Sequence, residues 1–222
     1  MSVEGGPARA LGIPTFPVYL FDVDGTLLDS APDICGAIKA VLANTDRLDV
    51  PEEFLRSYIG KHLTQLMSDL FPRASPEYVE GLIAEYRTIY LSRGHASTGL
   101  YPGVAEALGK LSGKKSTATT KGTPTTRMVL EKFGLAPFFD HVQGTDGFPA
   151  KPNPDVIFAA LAALSAKPED CLFVGDSAAD MEAAHRAGVW ACAVTYGYGK
   201  REELLRWEPD YVIENLRELV AD

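Results

Sequence analysis

The sequence predicts an α/β fold: a Rossmann-like parallel-sheet core with a small all-helical cap inserted after the first strand. Three observations carry this expectation. The stretch FPVYLFDVDGTLLDS, residues 16–30, sets an apolar run directly before two carboxylates. From residue 31 to about residue 90 only helical periodicity occurs. Beyond that, short apolar runs alternate with helical stretches of about ten residues, the pattern of βαβ units feeding one parallel sheet.

Residues 18–21 form a short apolar run bounded by Pro17 and the DGT turn, as a buried strand does. The cap, residues 31–97, then holds four helical segments: DICGAIKAVLA, PEEFLRSYI, LTQLMSDLF and PEYVEGLIAEYRTIYL. Pro32, Pro51 and Pro76 stand at or just before helix starts, where proline is tolerated. The core resumes at residue 98, so it comprises residues 18–30 and 98–222. Its order is helix (VAEALGKL), strand (KKSTATT), helix (TTRMVLEKF), short strand near HVQG, and helix (DVIFAALAAL). CLFVGD is the clearest strand after the first, followed by the helix ADMEAAHRAG, the strand WACAVT and a terminal helical stretch. Residues 1–17 are expected to be a loosely ordered tail without the features of a secretion signal.

Bulk composition narrows the function classes. The 222 residues are 46% hydrophobic and 23% charged, enough for a sizeable core, with a formal net charge of −9. Nucleic-acid and anionic-membrane partners need a basic face, so neither is expected. Cys35, Cys171 and Cys192 are odd in number and widely spaced, which argues against a disulfide framework or thiolate zinc site and for a reducing, cytoplasmic setting. No apolar run approaches the roughly 18 residues that span a bilayer.

Ligands of open parallel sheets bind at the carboxyl ends of the strands. Polar residues fall at four such ends: Asp22 and Asp24; Thr119 and Thr120; Lys151 in AKPNPD; and Asp176 and Asp180 in VGDSAAD. Carboxylates, a hydroxyl and a lysine converging there suit a metal and a phosphate together. Hard oxygen ligands select Mg²⁺, which usually completes its shell with substrate phosphate oxygens. His62, His95, His141 and His185 share no ligand spacing, and YGYG at residues 196–199 reads equally as a site lining or a plain glycine-rich loop.

The order DVDGT, a hydroxyl residue, KPNPD and GDSAAD resembles the haloacid dehalogenase superfamily of phosphatases, most closely its phosphoglycolate phosphatase-like branch with a helical cap. The resemblance implies that Asp22 is the nucleophile and forms an aspartyl-phosphate, and that Asp24 is the general acid and then the base. It implies that Asp22, the Asp24 carbonyl and Asp176 hold Mg²⁺, with Asp180 supporting that shell or orienting Lys151. Lys151 and the motif hydroxyl are implied to bind the transferring phosphoryl oxygens, with Gly25 and Thr26 in the adjoining turn. Aligning TTKGT onto the family's usual T-N-K makes Thr119 the phosphate ligand and puts Thr120 where asparagine is usual.

The implied substrate is a small anionic phosphomonoester, with 2-phosphoglycolate the leading candidate. Gly60-Lys61-His62 stands where phosphoglycolate enzymes often show G-N-G, so Lys61 and His62 are the implied substrate contacts of the cap. Two other functions share parts of this pattern. Sugar-phosphate mutases of the superfamily keep both aspartates and are the enzymatic alternative. A phospho-acceptor receiver module also gathers acidic residues, Thr and Lys around Mg²⁺, but its acidic pair and its acceptor lie on different strands. Asp24 argues against dehalogenases and phosphonate-cleaving members, which lack the second aspartate.

Overall fold

The computed structural model describes residues 12–220. Most of the expected tail, residues 1–11, lies outside the described residues. Phe16, at its inner end, is buried rather than loose: its N–H donates to the Tyr19 hydroxyl at 2.9 Å, and its ring meets that of Tyr19 edge-on.

Five parallel strands form the sheet in the order β4-β1-β5-β6-β7. They are β1 (Val18–Phe21), β4 (Lys114–Thr117), β5 (Cys171–Gly175), β6 (Trp190–Val194) and β7 (Tyr211–Ile213). β1 and β5 are buried along their whole length because both faces of the sheet are covered, which is why they read as continuous apolar runs. The two-residue period divides their side chains between two cores. Tyr19, Phe21, Leu172 and Val174 face one apolar cluster with α5 (Val104–Lys110) and α6 (Thr123–Lys132). Val18, Leu20, Cys171 and Phe173 face another with α7 (Asp155–Leu164), α8 (Ala178–Ala187) and α9 (Arg201–Leu205). The result is a helix–sheet–helix sandwich.

Across residues 31–92 the chain forms four helices, α1 (Ala31–Leu42), α2 (Glu52–Arg56), α3 (Leu63–Leu70) and α4 (Pro76–Ser92). They enclose a third cluster, which includes Ile34, Ile38, Leu55, Leu66, Ile83 and Tyr86 and draws only on residues of this block. The Ser75 hydroxyl caps α4 by accepting the Tyr78 N–H, and Pro76 opens the helix where its missing N–H costs nothing.

Several elements differ from the sequence expectation. HVQG forms no strand; residue 141 makes a single bridge to Ser116, while Thr117 Oγ1 holds both the N–H and the carbonyl of Gln143. The Thr117 side chain thus adds to a few backbone bonds between the two segments, and Lys151 comes from a loop rather than from a strand end. The terminal stretch is mixed, since β7 follows α9 and a 3₁₀ turn (Leu216–Val220) follows β7. A two-residue antiparallel pair, β2 (Leu28–Asp29) with β3 (Gly99–Leu100), has no counterpart in the sequence expectation. It brings together the points where the chain leaves for the helical block and returns. PEEFLRSYI shortens to the five residues of α2.

Candidate active site

Register places the functional loops. Phe21 pairs with Thr117 on one side and Val174 on the other, so β4 and β1 end level and β5 runs one residue further, to Gly175. The next residues, Asp22, Ala118 and Asp176, leave the sheet together at its carboxyl edge. The Asp22 N–H still bonds to the Val174 carbonyl at 2.9 Å, so the strand delivers Asp22 with its backbone fixed.

Lys151 sits at the centre of the acidic group. Its Nζ lies 2.8 Å from Asp22 Oδ1, 2.5 Å from Asp180 Oδ1 and 3.1 Å from the Ala118 carbonyl, which uses all three ammonium donors. Asp180 is held in turn by α8: its Oδ2 accepts the Ser177 N–H and hydroxyl, and its own N–H donates to Ser177 Oγ. This reciprocal capping box is what aims the other carboxylate oxygen at the lysine. Asp176 accepts the Thr26 hydroxyl at 3.0 Å and the Tyr198 N–H at 2.8 Å, and forms no salt bridge among the described residues.

Asp22, Asp176 and Asp180 each place a carboxylate oxygen within 4.8 Å of the others, all three buried. One lysine cannot neutralise them. Burial pushes the Asp22 carboxyl up to about 6, with Lys151 pulling it down and Asp180 adding to the rise. Burial, then the charges of Asp180 and Asp22, raise Asp176 well above the usual carboxylate range. Lys151 stays above the usual lysine range despite burial, because Asp180 and Asp22 favour its charge. An all-oxygen donor set with uncompensated negative charge fits a hard divalent cation.

Gly25 makes this crowding feasible. It has φ of +98°, and a Cβ there would stand 2.2 Å from Asp176 Oδ2. The YGYG loop packs behind Asp176: a Cβ on Gly197 would fall 2.3 Å from Asp176 Cβ, and Tyr196 donates its hydroxyl to the Thr26 carbonyl at 2.8 Å.

Asp24 is not one of these three carboxylates; with Asp22 it lines a cavity of about 460 Å³ shared by the sheet edge and the helical block. Its Oδ1 accepts the Ser30 hydroxyl at 2.6 Å and its Oδ2 is 3.1 Å from Lys121 Nζ. Thr119 is buried and lines the cavity; its Oγ1 accepts the Lys121 N–H at 3.4 Å, and its hydroxyl proton has no acceptor among the described residues. Thr120 turns away, donating to the Gly60 carbonyl at 2.8 Å. Lys61 and His62 line the same cavity but are exposed. Lys61 Nζ rests 4.6 Å from the Tyr58 ring centre, and His62 Nδ1 accepts the Thr64 N–H as the cap of α3.

The geometry therefore gathers Asp22, Asp24, Gly25, Thr26, Thr119, Lys151, Asp176 and Asp180 at one edge, and sets Lys61, His62 and Thr120 around the cavity. Sequence reasoning passed over Lys121, Ser30 and Tyr90, and left Tyr198, within YGYG, open between a site lining and a plain loop. Lys121 stands inside the quoted TTKGT motif, which is the one signal that could have found it.

A family model for haloacid dehalogenase-like hydrolases matches residues 19–194. The chain belongs to this hydrolase family. Phosphoglycolate phosphatase 1 of Pseudomonas aeruginosa is 34% identical over 213 residues, 91% of this chain and 78% of that one. Phosphoglycolate phosphatase of Vibrio parahaemolyticus is 35% identical over 211 residues, covering 90% and 92% respectively. The structure of a haloacid dehalogenase-like family hydrolase from Streptococcus pneumoniae superposes with a TM-score of 0.83 at 27% identity, covering 92% of this chain and 97% of that one. This hydrolase family membership spans both the sheet and the helical block. Among the described residues no helix is long and apolar enough to cross a membrane.

Proposed function

We propose that the chain is a Mg²⁺-dependent phosphomonoester hydrolase that works through an aspartyl-phosphate on a small anionic phosphometabolite, 2-phosphoglycolate first among them. The observation that carries this reading is the pairing of Asp22, aimed by Lys151 within a buried acidic cluster, with a separately held Asp24 two residues on. The names of the relatives support the substrate.

In this reading the carboxylate of Asp22 attacks phosphorus. A bond forms from Asp22 to phosphorus as the bond to the leaving oxygen breaks, and Asp24 gives that oxygen its proton. Asp24 then takes a proton from water, which attacks phosphorus, frees Asp22 and releases inorganic phosphate. Lys151 and the Thr119 hydroxyl bind phosphoryl oxygens, and Asp180 keeps Lys151 in place. Asp22, Asp176 and the backbone carbonyl of Asp24 would hold Mg²⁺, which offsets the charge of the carboxylates and the phosphoryl group when bound. The helical block, residues 31–97, serves as the cap that surrounds the leaving group.

The size of the cavity supports a second substrate class. A volume of about 460 Å³ falls in the range of about 300–1,000 Å³ that holds drug-sized ligands. Ile34, Leu55, Leu63, Ile83 and Tyr86 wall it on the cap side, which suits a larger, partly apolar leaving group.

Purified protein assayed against a panel of phosphomonoesters, with and without EDTA, tests the proposal. Repeated, Mg²⁺-restored turnover is expected, with kcat/KM ranking the substrates. Phosphate labelling that stops at one equivalent would mark a receiver-like acceptor instead, and isomerised phosphosugar without phosphate release would mark a mutase.

A further inference from the structure

Lys121 is a buried cation that the proposed chemistry leaves unused. Its side chain is 8% exposed, and its Nζ stands 3.1 Å from Asp24 Oδ2. The same ammonium donates to the Tyr90 hydroxyl at 2.9 Å. With Ser30 on Oδ1, both oxygens of Asp24 are held. Tyr90 belongs to α4, is itself buried, and stacks on Tyr86 with ring centres 5.5 Å apart. Thr120, the residue before Lys121, makes the second tie to the helical block through the Gly60 carbonyl. One short loop after β4 therefore touches both the acid–base candidate and the cap.

We infer that Lys121 is a positioning residue: anchored by Tyr90, it fixes the Asp24 carboxylate against the leaving group and links that placement to the seating of the helical block. This rests on the phosphatase reading above. Burying a lysine is costly without a carboxylate and a second hydrogen-bond partner, and both are present here. Removing it leaves one Asp24 oxygen unheld, and a proton donor free to swing loses the orientation on which general acid catalysis depends. The loss should depend on the leaving group. A strongly basic alkoxide needs the proton as it departs; p-nitrophenolate needs it little.

The test compares kcat and KM of wild type, Lys121→Met and Tyr90→Phe on p-nitrophenyl phosphate and on the alkyl phosphate that wild type turns over fastest. Lys121→Met should lower kcat for the alkyl ester roughly 100-fold and for p-nitrophenyl phosphate about tenfold less, with each KM within about twofold. Tyr90→Phe removes one oxygen, keeps the ring stack and keeps Lys121. It should show a weaker selectivity of the same sense, with kcat down about fivefold on the alkyl ester and less than about twofold on p-nitrophenyl phosphate, and it carries the test if Lys121→Met does not fold. Equal losses on both esters in a folded variant would show a merely structural role and overturn the inference. So would a rise in KM confined to a carboxylate-bearing ester, which would make Lys121 a substrate ligand, or unchanged kinetics in both variants. A wild type inactive on every ester would remove the phosphatase reading and this inference with it, whereas an active wild type with unselective variants removes this inference alone.

Discussion

Asp22 and Asp24 are separated by one residue yet live in different surroundings. Both line the cavity, but Asp22 shares Lys151 with Asp180 and lies near Asp176, whereas Asp24 is held between Ser30 and Lys121. That division is what two distinct chemical tasks require. Asp22→Asn should abolish turnover, to below about a hundredth of wild type, because an amide is a poor nucleophile and a weaker ligand for a hard cation. Circular dichroism should show the fold retained; appreciable residual activity in a preparation free of host phosphatases would refute the assignment. Lys61 is a different case, since it is exposed and its partner is the face of Tyr58. If it reads a carboxylate on the leaving group, Lys61→Ala should raise KM for 2-phosphoglycolate about tenfold and leave p-nitrophenyl phosphate nearly untouched. Parallel changes in kcat/KM for both esters would end that role.

Between residue and fold lie the joints that hold the helical block in place. Asp33, in the first turn of α1, is buried and accepts from Arg93 Nε at 3.0 Å, the Ser97 N–H at 2.8 Å and the Thr98 hydroxyl at 2.8 Å. It ties the start of α1 to the segment that follows α4, beside the β2–β3 pair. Asp33→Ala should destabilise the protein by about 2–3 kcal/mol, because it strands several donors at once. Burial raises the Asp33 carboxyl, but the bonds from Thr98, Ser97 and Arg93 outweigh it and leave the group below the ordinary range. Its contribution is therefore complete above the unfolded carboxylate pKa and is lost as pH falls through the lower folded value. Denaturant unfolding should show the gap between wild type and Asp33→Ala at neutral pH and its closure in acid. An equal gap at both would remove the carboxylate from the account.

Across the whole molecule, a chain of net charge −9 concentrates buried negative charge at one sheet edge. Asp22 is pushed up to about 6 and Asp176 well above 3.8, so the sign runs opposite to that of Asp33. In the metal-free protein their contribution is present below the unfolded carboxylate pKa and is lost as pH rises through the folded values, about 6 for Asp22. A divalent cation binds the deprotonated carboxylates and competes with those protons. Millimolar Mg²⁺ should raise the melting temperature by several degrees near pH 7.5 and much less near pH 5, with EDTA reversing the gain. A shift of equal size at both pH values, or none at pH 7.5, would argue against a metal at this cluster.

The sequence by itself determined the alternation of strands and helices, the helical block after β1, and the loops that carry Asp22, Asp24, Thr119, Lys151, Asp176 and Asp180. These were legible because burial on both faces leaves continuous apolar runs, and because carboxylates directly after such a run need a compensating partner. Tertiary structure alone decided the rest. The pair β2–β3 and the strand β7 are too short to leave a periodic signal, and they form because distant segments supply the missing ladder partners. Lys151 reaches Asp22 across 129 residues, and Lys121 reaches both Asp24 and Tyr90. Such contacts follow from the register of three adjacent parallel strands and from where α4 packs, and neither is written in the local residue pattern.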